Sequence, residues 1–207
     1  MTTRSANLRG IGLDDAEQWT GPREQIPLLI AETFERGGEL LAEFSDEQLD
    51  QGFWYLAGAA RPEFMQTLTD QTIPLQARLR ALRSFVPLFQ QIMTVRCTNH
   101  LGHIDRHGEK PLNSACYMWW DLLRFELWWP NRPDILADII TTLRACLAIP
   151  HDACRESALH GIGHLRRDYP EYEPQLAAII DDFLASTSGL RPELIAYADQ
   201  ARRGEIL

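Results

Sequence analysis

Three observations predict an all-α fold for this chain. Apolar residues recur at i, i+3 and i+4 through most of its length, the period of amphipathic helices. No stretch shows a strand-like alternation of apolar and polar residues. Helix-start signals, a Ser-x-x-Gln box and a series of prolines, stand where the periodic stretches begin.

The elements follow in order. Residues 1–20 are polar and aperiodic and read as a flexible tail, leaving residues 21–207 as one helical domain. Ile26 to Phe44 has helical spacing, with a break expected at Gly37-Gly38. Ser45 with Gln48 forms a capping box, and a helix should follow to about Ala59. Arg61-Pro62 opens a short helix to about Leu68. Leu75, Leu79, Leu82, Phe85, Val86, Phe89 and Ile92 mark a long helix to about Arg96, and Pro87 should kink it. Gly102, Gly108 and Pro111 make Asn99–Leu112 a loop. Helices are then expected at about Asn113–Trp129, Pro133–Leu147, Asp152–Arg167, Pro174–Ala185 and Pro192–Arg203. Short joints between them make neighbours antiparallel, so the second half reads as stacked helical hairpins.

Ala115-Cys116 and Ala153-Cys154 recur 38 residues apart, a helical-repeat period. The run Cys154-Arg155-Glu156-Ser157-Ala158-Leu159-His160-Gly161-Ile162-Gly163-His164-Leu165 resembles the second helix of a HEAT-type repeat. In that family an arginine is followed by small residues and a Leu-Gly-like step. Pro133–Leu147 and Pro174–Ala185 resemble first helices of such repeats. The resemblance covers roughly residues 113–203 and implies antiparallel hairpins stacked as a short HEAT-like α-solenoid. It implies packing rather than activity.

Cys154, Ala158, Gly161, Ile162 and Leu165 share one stripe of that helix and form its core face. Glycine inside a helix costs about 1 kcal/mol against alanine, so Gly161 and Gly163 call for close approach by a neighbour. Ser157, His160 and His164 lie on the flank of the stripe at i, i+3 and i+4 spacing. Helix 113–129 is apolar on two faces. A narrow band of Tyr117, Asp121, Arg124 and Trp128 runs between them.

All four cysteines and all six histidines fall between Cys97 and His164, which marks the middle of the chain for chemistry. Cys97, His100 and His103, with His107 and Cys116 beyond, are thiolate and imidazole donors suited to a tetrahedral zinc site. His160 and His164 form a second pair at metal-ligand spacing, without the glutamate of His-Glu-x-x-His metalloproteases. HEAT-type repeats include iron-dependent hydroxylases that carry His-Glu dipeptides; this sequence has none, and Arg155-Glu156 takes their place. The sequence by itself implies no cofactor, and a metal on Cys97, His100, His103, His160 or His164 would be zinc or iron.

The net charge of −9, with a single lysine (Lys110), argues against nucleic-acid binding. It therefore disfavours a HEAT-like DNA glycosylase, although Trp119-Trp120-Asp121 supplies residue types such enzymes use in their grooves. No apolar run reaches membrane-span length and no secretory h-region is visible, so a cytoplasmic location with reduced thiols is expected. The leading functional expectation is an adaptor- or immunity-type module that binds another, basic, protein. Its surface would comprise His100, His103, His107, Trp119, Asp121, Arg124 and Trp128. The alternative is a metal-dependent enzyme built from the histidines of the 97–164 region.

Overall fold

The computed structural model describes residues 21–58, 63–123 and 133–206. The described residues are helical, with no strand among them. The tail expected at residues 1–20 and the site residues Arg124 and Trp128 lie outside them.

A 3₁₀ turn at Arg23–Gln25 leads into α1 (Ile26–Glu35), and Gly37–Leu40 forms a separate short α2. The break falls at Arg36, one residue before the expected Gly37-Gly38 pair, which opens α2, and Gly37 lies against Ile92. α3 (Asp46–Ala57) begins at Ser45, whose Oγ accepts from Gln48 N at 3.2 Å while Gln48 Oε1 accepts from Ser45 N at 2.9 Å. The capping box read from the sequence is thus formed. α4 is a single turn at Glu63–Gln66.

The long helix expected over Leu75–Arg96 is interrupted. It runs as α5 (Leu75–Arg83), α6 (Phe85–Leu88), a π-turn (Phe89–Met93) and α7 (Thr94–Arg96). Pro87 has no N–H to offer the carbonyl of Arg83, four residues earlier, and the first interruption falls there, at Ser84. The loop through Lys110 follows as expected. Next come α8 (Pro111–Leu122), α9 (Pro133–Leu147), α10 (Asp152–Asp168), a 3₁₀ turn at Pro170–Tyr172, α11 (Glu173–Ser186) and α12 (Pro192–Arg203). Gly204, at φ 70°, takes the left-handed position that ends α12.

α1 packs on α5, α5 on α9 and α9 on α11, while α3 packs on α8, α8 on α10 and α10 on α12. α10 also packs on α9 and α11, and twelve of its seventeen residues are buried. It is the axis of the molecule's second half. Between the two rows, Trp119 of α8 is fully buried against Phe34, Phe53 and Phe85, with ring centroids 5.9, 5.9 and 5.3 Å away. Trp120, also fully buried, meets Phe85 and Phe89. The apolar face that carries both tryptophans is therefore core, while Met118 and Leu122 on the opposite face are only partly buried.

Candidate metal centre

Three helices each bring one polar edge to a common seam. Tyr117 and Asp121 are one turn apart on α8. Glu156, His160 and His164 are successive turns of α10, and Tyr197 comes from the middle of α12. The i, i+4 spacing makes each set a single row, and the close packing of α10 against α8 and α12 turns the rows toward one another.

At the centre is the Asp121 carboxylate. Its Oδ2 lies 2.7 Å from His160 Nε2, its Oδ1 lies 2.5 Å from His164 Nε2, and the two Nε2 atoms are 3.0 Å apart. His160 is 1% exposed, whereas the Asp121 side chain keeps 24% of its surface, so the site is closed on the protein side and open beside the carboxylate. The far nitrogen of His160, Nδ1, is 2.6 Å from the Tyr197 hydroxyl, which is 3.2 Å from that of Tyr117. Burial favours the neutral form of Asp121, but the hydrogen bonds and charges of His160 and His164 outweigh it and hold the carboxyl well below its usual range. Burial pushes the phenol of Tyr197 far above its ordinary value, so it stays neutral.

These contacts conflict. A carboxylate has only lone pairs, so each Nε2 must carry hydrogen to bond it. Two such N–H groups 3.0 Å apart then oppose one another. Remove one hydrogen and the two nitrogens can bond, but a bare lone pair now faces the carboxylate. With Asp121 ionised, no placement of protons makes all three contacts favourable. A cation at the centre would meet a lone pair from every donor. Among the described residues, Asp121, His160 and His164 form the one group of three or more His, Cys, Asp or Glu donors lying within 4.8 Å of one another.

The neighbouring end of the seam is satisfied. Glu156, 1% exposed, accepts from Gly102 N at 2.7 Å, His103 N at 3.1 Å and His103 Nδ1 at 2.5 Å. The His103 ring stacks on Tyr197 at 4.3 Å, which brings the loop against the far side of that tyrosine. Asp105 accepts two bonds from Arg191 at 2.9 Å and one from Leu101 N, fastening the same loop to the start of α12.

The structure corrects two of the residue sets expected from the sequence. Of the proposed metal ligands Cys97, His100, His103, His160 and His164, it brings together His160 and His164 and adds Asp121, expected on a partner surface. Cys97 is buried, His100 Nε2 faces the Glu109 carboxylate at 3.7 Å, and His103 is engaged by Glu156. Of the proposed partner surface, Trp119 and His100 are buried and so removed from it, while His107 is exposed. Cys97, Cys116 and Cys154 form a buried hydrogen-bonded row of free thiols instead. The side-chain hydrogen bonds with Cys154 and then Cys97, followed by burial, push the Cys116 thiol up. The bond with Cys116 lowers Cys154 against its own burial, with help from His151. Tyr197 and Glu156 were not anticipated as site residues; Tyr197 lies in an ordinary amphipathic helix far along the chain from the histidines.

No helix of the described residues is long and apolar enough to cross a membrane. No family model, curated protein or solved structure matches the chain.

Proposed function

We propose that this protein is a metal-dependent enzyme whose centre is one zinc or ferrous ion on Asp121, His160 and His164. The observation that carries the reading is the convergence of three donors whose mutual contacts cannot all be favourable while Asp121 is ionised. Two imidazoles and a carboxylate suit a borderline divalent ion rather than magnesium or calcium. Three protein ligands leave at least one coordination position free, as in catalytic rather than structural centres. The exposed edge of Asp121 gives that position access to solvent. A metal held there would polarise a bound oxygen ligand or activate water.

The test is metal titration of chelator-treated protein followed by calorimetry. About one equivalent of zinc should bind, and His164→Ala or Asp121→Ala should weaken binding by more than about 100-fold while the chain stays folded. Failure of the folded wild-type chain to bind zinc, iron(II), cobalt or nickel stoichiometrically would sink the reading.

One observation supports the second reading, a protein-binding module. An apolar groove of about 380 Å³ opens between α1 and α3, lined by Leu29, Phe34, Phe44, Phe53 and Phe64 among others. Leu29 and Phe44 at its edge are exposed. It lies on the opposite half of the chain from the surface expected from the sequence, and the net charge of −9 still suits a basic partner. The HEAT-like stacking belongs here too, supported by the two rows α1-α5-α9-α11 and α3-α8-α10-α12. A cytoplasmic location is supported by four free cysteines.

A further inference from the structure

We propose that Tyr197 is the positioning residue of this centre, selecting the tautomer of His160 that can hold a metal and carrying the compensating proton from Tyr117. The inference stands on the metal reading above. It concerns the direction of a three-member chain, His160 Nδ1, Tyr197 OH and Tyr117 OH, with links of 2.6 and 3.2 Å.

Each phenol has one proton to give and can accept one. In the metal-free site the favourable polarity runs inward. Tyr117 donates to Tyr197, Tyr197 donates to His160 Nδ1, and His160 Nε2–H donates to Asp121. A metal requires the lone pair of Nε2, so the proton there must leave and Nδ1 must carry one. The polarity then runs outward, with His160 Nδ1–H donating to Tyr197, Tyr197 to Tyr117, and Tyr117 to water. In balance, one proton departs from Nε2 as the cation arrives, and one enters at Tyr117. His160 is neutral before and after, and no group is left without a partner in either state.

The surroundings allow this reversal and little else. Tyr197 is 3% exposed, so its hydroxyl has no ready exchange with solvent. Its ring is clamped by the stacked His103 at 4.3 Å, which Glu156 fixes in turn. Tyr117 is only partly buried, so the chain ends where water can exchange the proton. The Tyr117 and His160 rings lie 4.7 Å apart, which keeps the imidazole in plane for both of its bonds. Among the described residues His164 shows no such partner on its second nitrogen, so the control falls on His160 alone.

The experiment uses the full chain labelled with ¹⁵N-histidine, and its ring-nitrogen shifts are read with and without zinc. His160 should carry its proton on Nε2 without metal and on Nδ1 with it. Tyr197→Phe keeps the ring and its stacking but removes the hydroxyl, and zinc affinity should fall about 10–100-fold. Tyr117→Phe leaves the bond to His160 in place and should cost less than Tyr197→Phe. If wild type binds zinc yet His160 keeps Nε2–H, or Tyr197→Phe binds as tightly as wild type, Tyr197 is not the positioning residue. The metal centre would survive that result. If wild type binds no metal, the centre itself fails. The wild-type tautomer readout decides the matter even where Tyr197→Phe does not fold.

Discussion

Gly161 offers the sharpest test of how the seam is assembled, because the same substitution has opposite expected signs at two helical glycines. A Cβ at Gly161 would lie 2.7 Å from Leu143 Cδ2, 2.7 Å from Trp120 Cγ and 3.0 Å from Trp120 Cβ. Carbon atoms in contact want 3.5–4.0 Å, so both neighbours would have to retreat by well over half an ångström. Leu143 and Trp120 are fully buried and have nowhere to go except by moving their helices. Overpacking costs about 1–3 kcal/mol, and two immobile neighbours at 2.7 Å put this site in the upper part of that range, about 2–3, while replacing glycine in a helix returns about 1 kcal/mol. Gly161→Ala should therefore destabilise by about 1–2 kcal/mol net, a fall of about 2–8 °C in Tm for a chain of this size. At Gly52, in α3, a Cβ would meet nothing within 4 Å. There the same change should stabilise by about 0.5–1 kcal/mol. Denaturant melts of both variants against wild type give the comparison. Gly161 follows His160 and Trp120 precedes Asp121, so prying α8 from α10 also parts two of the proposed ligands. Zinc affinity should drop in Gly161→Ala and hold in Gly52→Ala. A Gly161→Ala protein as stable as wild type would refute the packing argument.

Two further predictions concern residues around the seam. Trp119→Ala removes the indole at the centre of the Phe34, Phe53 and Phe85 cluster and should cost about 3–5 kcal/mol in a chemical melt; a variant of near wild-type stability would mean that Trp119 is not core. Asp105 is held far below the usual carboxylate range by the hydrogen bonds of Arg191 and then by Leu101 N–H. Its contribution is thus complete above the unfolded-state value of about 4 and lost as pH falls below it. Discounted for the exposure of Arg191, the pair contributes about 1–2 kcal/mol. Asp105→Asn should lower stability by that amount at pH 7, with the gap closing below about pH 4.

The helix ends that the sequence made legible are those with a local chemical cause. α12 begins and ends where the sequence placed it because Pro192 starts the helix and Gly204 closes it. Ser45 with Gln48 did the same for α3. Gly161 announced a close approach, and Trp120 and Leu143 are the atoms that approach. The metal centre was half legible. Periodicity found His160 and His164 and, separately, the Tyr117–Asp121 band, but no local rule says that two polar rows on different helices face each other. The loop histidines misled because nearness in sequence is not convergence in space. His100 and His103, three residues apart, point to Glu109 and Glu156 respectively.

A comparison along α10 gives the metal reading its weight. Glu156, His160 and His164 are all buried on one helix, at one-turn spacing, in one seam, so burial penalises each in the same way. At Glu156 the penalty is answered in full, with three N–H donors for one carboxylate. One and two turns further on, two imidazoles share a single carboxylate and press their nitrogens together at 3.0 Å. A packing accident would leave its polar groups poorly placed at random. Here three lone-pair-bearing atoms are aimed at one point, at the end of the seam where Asp121 is open to solvent, and a second row of hydroxyls stands behind one of them. Between Glu156 and His164 the mismatch falls on the atoms a cation would contact, which is the distribution expected if the site is complete only when occupied.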